Sequence, residues 1–114
     1  MHELSITQSI LNISLQAAEQ QHAKRIKVIR LRLGQFCGVV PECVQMYLDV
    51  LAKDTIAEGA KIEVIEVPLR VRCLDCGRES DIDRRHIECP FCKSIRLKRL
   101  SGREFLVDSL EVDT

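Results

Sequence analysis

The chain has 114 residues, 46% of them hydrophobic and 30% charged, with 17 basic side chains against 17 acidic ones. That length fits one compact domain, or one domain plus a small metal-stabilised module. The balanced charge argues against a whole-protein electrostatic partner such as DNA or an anionic membrane surface, and no apolar run is long enough to span a bilayer.

Met1, His2 and Glu3 open the chain with a nitrogen-rich donor set. A free α-amine on Met1, the deprotonated amide of His2 and its imidazole close two small chelate rings on one metal. A planar nitrogen set of this kind suits Ni(II) or Cu(II). Zn(II) prefers a tetrahedron and gains less. The bulk of His2 disfavours removal of Met1, and Glu3 offers a carboxylate or its own amide. Taken alone, a frayed terminus with an incidental histidine is the commoner meaning of these residues. No signal peptide follows, because Ser5, Thr7, Gln8 and Asn12 interrupt the apolar residues. The chain therefore reads as cytoplasmic.

Ser5-Ile6-Thr7-Gln8 has the form of a capping box, which places the start of a helix at Ser5 and leaves Met1 to Leu4 ahead of it. The helix runs to about Gln21. Leu11, Leu15 and Ala18 form its apolar stripe, widened by Ile6, Ile10, Ile13 and Ala17. His22 follows at the negative end of the helix. Ile26–Leu33 reads as a strand ended by Gly34. Pro41 suits the first turn of a second helix, with Val44, Tyr47, Leu48 and Leu51 on its buried face. Lys61–Val67 alternates as a second strand, closed by Pro68. Leu69 to Arg103 shows little periodicity. Glu104–Val112 reads as a third strand, which needs the sheet of the first two to join. The expected fold is α+β: a small three-stranded sheet with two helices, plus an inserted four-cysteine zinc-ribbon module. The corresponding domains are 1–68 with 104–114, and 69–103.

Six cysteines in a cytoplasmic chain point to metal ligands or buried thiols rather than a disulfide frame. Cys73 and Cys76, then Cys89 and Cys92, are two pairs with two residues inside each and 12 between them. That spacing lets two tight turns aim four thiolates at one tetrahedral Zn(II). A thioredoxin-type dithiol expects one pair opening a helix, and two disulfides do not persist in a reducing compartment. With four protein ligands the zinc has no open position, so its role is structural. Cys37 and Cys43 do not match a knuckle and read as small buried hydrophobes. His86, between the knuckles, reads as an exposed loop residue.

Met-His-Glu-Leu-Ser-Ile at the start, Gly-Val-Val-Pro-Glu at 38–42, Ala-Glu-Gly-Ala at 57–60 and the two cysteine pairs, in this order, resemble the HypA family, also called HybF. The resemblance spans essentially the whole chain. It implies a nickel metallochaperone of NiFe hydrogenase maturation, with Ni(II) as cargo held by Met1, His2 and Glu3. It implies a structural Zn(II) held by Cys73, Cys76, Cys89 and Cys92. The implied partners are a HypB-type GTPase, the hydrogenase large subunit and, in some organisms, urease maturation proteins. The implied state is a monomer or homodimer. No thiol role is carried over to Cys37 or Cys43.

Two other function classes are weaker. Residues 70–103 carry ten basic and five acidic side chains, as a nucleic-acid-binding zinc ribbon would. Four thiolates on Zn(II) reduce that excess, and Phe91 is the only aromatic residue there. An enzyme is not expected, since no phosphate loop, nucleophile triad or paired-carboxylate site is present. Neither nucleic acid nor membrane is expected as a partner.

Overall fold

A computed structural model describes residues 3–83 and 85–114. The elements run α1 (Glu3–Gln20), β1 (Arg25–Gly34), α2 (Pro41–Leu51), β2 (Lys61–Val67), β3 (Leu69–Cys73), β4 (Glu79–Ile82), β5 (Leu97–Arg99) and β6 (Phe105–Asp113). They form two three-stranded sheets, ordered β2-β1-β6 and β4-β3-β5. The chain divides into two compact units. The first holds residues 1–32, 39–65 and 106–114, and the second holds 33–38 and 66–105.

In the first unit α1 packs against α2. The core is built from Ile10, Leu11 and Ala18 of α1, Ile26, Ile29 and Leu31 of β1, and Val44 and Leu48 of α2. The buried stripe of α1 is Thr7, Ile10, Leu11, Ser14 and Ala18, which corrects the expected one. Ile13 is 53% exposed, while small polar Thr7 and Ser14 are fully buried. The stripe follows the contact surface rather than the most apolar arc. The helix also begins earlier than its capping signature indicates: Glu3 and Leu4 lie within it. Ser5 is therefore interior, and its carbonyl accepts the Ser9 hydroxyl at 3.2 Å. At the other end the His22 N–H meets the Glu19 carbonyl at 3.0 Å and the Ala23 N–H meets the Ala18 carbonyl at 3.0 Å. His22 itself adopts φ 54°. This is a left-handed helix stop, so the backbone of His22 rather than its charge ends α1.

α2 starts at Pro41, whose missing N–H costs nothing in a first turn. Gln45 joins α2 to β2: its amide donates to the Ala60 carbonyl at 3.1 Å and accepts the Ile62 N–H at 2.7 Å. One face of the first sheet carries a charge ladder. Arg30 bridges Glu63 at 3.3 Å and Glu111 at 3.0 Å, Arg32 meets Asp108 at 3.0 Å, and Lys27 meets Asp113 at 3.5 Å. The basic central strand is thus flanked by acidic edge strands. Each pair adds only tenths of a kcal/mol, up to about 1. Their main effect is to fix register, since a one-residue slip would turn every charge to the other face. β6 joins β1 as the sequence led us to expect.

The second unit contains the sheet that periodicity did not reveal. In β3, Leu69, Val71 and Cys73 are buried while Arg70 and Arg72 are exposed. Leu69, Val71 and Ile82 form a small apolar cluster, with Phe36 and Leu97 packed against it. Phe36 comes from the turn after β1, and its N–H donates to the Gly102 carbonyl at 2.7 Å. Gly34 admits no side chain here: a Cβ would lie 2.1 Å from the Gly102 carbonyl carbon. Arg70 and Arg72 face Asp81 and Glu79 across the strand pair, with ion pairs of 2.9 and 3.1 Å. No helix among the described residues is long and apolar enough to cross a membrane.

Candidate metal centre

β3 ends at Cys73, and the chain then folds into two turns of matching design. In the first, the Cys73 N–H donates to the Arg78 carbonyl at 2.9 Å and the Gly77 N–H to the Cys73 carbonyl at 2.9 Å. In the second, the Cys89 N–H donates to the Ser94 carbonyl at 2.8 Å and the Lys93 N–H to the Cys89 carbonyl at 2.9 Å. The fourth residue after each leading cysteine takes a left-handed backbone, φ 77° at Gly77 and φ 65° at Lys93. Glycine does this freely, whereas lysine does it under strain.

The two turns bring four sulfurs together. Sγ of Cys73 lies 3.5 Å from Sγ of Cys92, and Sγ of Cys76 lies 3.6 Å from Sγ of Cys89. All four fall within 4.8 Å of one another. Disulfide sulfurs would be about 2 Å apart. A Zn–S bond of about 2.3 Å sets the sulfurs of a tetrahedron about 3.8 Å apart. The cluster fits a four-thiolate zinc site and does not fit two disulfides. Cys73 and Cys89 are buried, and Cys76 and Cys92 are exposed.

The thiols alternate electrostatically. Cys73 is lowered to about 6, chiefly because the Cys76 N–H points at its sulfur. Cys89 is lowered in the same way by the Cys92 N–H. The Arg78 amide pulls Cys76 down, but burial and the bonded Cys89 and Cys73 sulfurs outweigh it, and Cys76 is raised. Cys92 is pushed up to about 12: the Ser94 amide opposes the rise, and the contact with Cys73 leads the groups that outweigh it. Sulfurs in contact cannot all ionise without a cation between them. A divalent metal held by Cys73, Cys76, Cys89 and Cys92 would supply that charge and make all four thiolates.

Two contacts between the turns escaped the sequence reading. The Asp75 carboxylate accepts the Ser94 hydroxyl and, at 2.7 Å, the Arg96 guanidinium. Arg78 stacks over the Phe91 ring at 4.7 Å from its centroid. Both tie the first turn to the second and hold the sulfur pairs in register. The sequence carries one visible sign of the matched turns: Gly77 and Lys93 each directly follow a closing cysteine.

The remaining candidate residues are dispersed. Cys37 and Cys43 are half-buried free thiols, in the turn after β1 and the first turn of α2. His86 is exposed, its N–H bonded to the Asp83 carboxylate at 3.0 Å. Neither thiol nor this imidazole joins the sulfur cluster. Glu3 is half-buried at the start of α1, and its carbonyl accepts the Thr7 hydroxyl at 2.5 Å. Met1 and His2 lie outside the described residues.

The family model described as hydrogenase/urease nickel incorporation, metallochaperone, hypA matches residues 1–112. A hydrogenase maturation factor HypA from Dehalococcoides mccartyi is 38% identical, over 99% of this chain and 95% of that one. Its counterpart from Alkalilimnicola ehrlichii is 36% identical, over 99% of this chain and all of that one. The solution structure of the Ni metallochaperone HypA from Helicobacter pylori aligns with TM-score 0.66 at 17% identity, over 99% and 98% of the two chains. A second solution structure of a HypA protein gives TM-score 0.70 at 18% identity, over 98% of this chain and 96% of that one. These two likenesses establish the fold, and the whole-chain matches establish more: the chain belongs to the HypA family of hydrogenase maturation factors, the nickel-incorporation metallochaperones.

Proposed function

We propose that this chain binds Ni(II) through Met1, His2 and Glu3 and delivers it to the large subunit of a NiFe hydrogenase, acting in the cytoplasm with a HypB-type GTPase. The observation that carries this reading is the family match over residues 1–112, which takes in the terminal donors as well as the cysteine pairs. Glu3 is the first described residue of α1. The first four N–H groups of a helix have no intrahelical partner, so its amide is not claimed by the helix. A short chelate at a helix start also suits a cargo that has to leave again. The sulfur cluster of Cys73, Cys76, Cys89 and Cys92 serves as a structural zinc site, closed to substrate. The activity is transfer of a metal rather than catalysis, and urease maturation proteins are a second candidate recipient.

The test is a Ni(II) titration by calorimetry and absorption spectroscopy. It compares the native terminus, a form with a short N-terminal extension, and His2→Ala. The extended form and the variant should each lose one nickel site with zinc content unchanged. Equal binding by all three forms, or by none, would overturn the terminal chelate. Nickel affinity should also fall as pH drops through the histidine range, because only the neutral imidazole is a ligand.

A further inference from the structure

β5 is an edge strand, since the order β4-β3-β5 leaves its far side open. The Leu100 N–H donates to the Arg70 carbonyl at 2.7 Å, and the Leu74 N–H to the Arg96 carbonyl at 2.8 Å. Between them Arg99 faces Val71, Lys98 faces Arg72 and Leu97 faces Cys73. An antiparallel ladder alternates bonded and non-bonded pairs. The backbone groups of Lys98 therefore turn toward β3, and those of Leu97 and Arg99 turn outward to the open edge.

Two of the three residues of β5, Lys98 and Arg99, carry cationic side chains. Lys98 stands directly opposite Arg72, a like-charge juxtaposition that destabilises a strand pair. Arg72 finds Glu79 on its other side at 3.1 Å. Arg70, Lys93 and Arg96 also have acidic partners. Among the described residues Lys98, Arg99 and Arg103 have none, and all three are exposed. Ile95 and Leu100, at either end of β5, are 79% and 39% exposed.

From this we infer that the open edge of β5 is a docking surface for an extended acidic segment of a partner protein, which adds to the sheet as a fourth strand. Outward N–H and C=O groups on alternate residues match an extended peptide backbone rather than a phosphate chain. The lone aromatic side chain of this unit's cysteine segment, Phe91, is covered by Arg78, which removes a stacking platform for bases. A charged, three-residue edge rejects neutral and basic strands, including the same edge of a second copy. Acidic residues reverse that repulsion, so the features that guard the edge also make it selective.

The test uses the zinc-loaded full chain and a fluorescein-labelled heptapeptide alternating Glu and Val, followed by fluorescence anisotropy. Saturable binding is expected, weakened about tenfold by the Lys98→Glu/Arg99→Glu double variant. A backbone N-methylated version of the peptide should bind no better than a Lys–Val control. Hydrogen exchange at the Leu97 and Arg99 amides should slow in the complex. Zinc content and circular dichroism check the variant's fold, while the N-methylated peptide tests pairing on the unaltered protein. Absence of saturable binding, equal binding of the N-methylated peptide, unprotected Leu97 and Arg99 amides, or tighter binding of a short single-stranded oligonucleotide would each overturn the inference. No arm of the experiment involves nickel, so its failure leaves the nickel reading standing.

Discussion

Lys93 and Ser14 are residues whose environment disagrees with their chemistry, and each disagreement can be measured. Lys93 holds φ 65° at the position that Gly77 fills in the matching turn. Its ion pair with Glu88, 3.7 Å long and exposed, offsets little of the strain. Lys93→Gly should raise the stability of the zinc-loaded protein by about 1 kcal/mol, read as the unfolding midpoint in urea. Gly77→Ala should lower it by a similar amount, since space around Gly77 is open and only its φ resists a side chain. Ser14 is fully buried on α1 with its hydroxyl oxygen unpartnered among the described residues. Ser14→Ala removes that unsatisfied group and should leave stability unchanged or raise it by about 1 kcal/mol in the same assay. A loss of more than that would mean the hydroxyl has a partner. Neither strain is visible in the sequence, because it arises from what surrounds the residue rather than from the residue itself.

At the scale of the element, periodicity served well where one face alone decides the structure. β2 was read to the residue, and α2 begins at the proline that marked it. The cysteine pairs were equally legible, because their spacing is itself the geometry that the metal requires. α1 misled on two counts. Its capping signature lies inside the helix, and its contact stripe includes Thr7 and Ser14 in place of Ile6 and Ile13. The second sheet was missed for another reason. β3 has five residues, β4 four and β5 three, so their alternation is too short to stand above chance. What holds them is the sulfur cluster and Phe36, neither of which is a local signal. Phe36→Ala should therefore destabilise β3 and β4 by about 2 kcal/mol, as expected for a partly buried aromatic side chain. The check is faster amide exchange at Val71 and Ile82 in the zinc-loaded protein, with the Ile29 and Leu31 amides unaffected.

For the whole molecule, the two units rest on different forces. The first has a core of long aliphatic side chains contributed by both helices and β1. The second has a small apolar cluster of Leu69, Val71 and Ile82 beside the four thiols. Removing zinc with a chelator should melt the second unit and leave the first folded. Hydrogen exchange would then show loss of protection across 69–82 and at Lys98, with the amides of Ile10, Ile29 and Val44 still protected. Cooperative loss of both units would contradict this division. The interleaved course of the chain also bears on how the protein forms. The ion pair of Arg30 with Glu111 joins residues 81 positions apart in the sequence. A chain emerging from a ribosome makes β1 early and β6 last, with every cysteine of the cluster in between. Capture of a metal ion by that cluster would gather the intervening residues before β6 arrives, shortening the loop that must close. Zinc would then serve as a folding nucleus as well as a structural ligand, and refolding from urea should run faster when the ion is supplied at the outset than when it is added late.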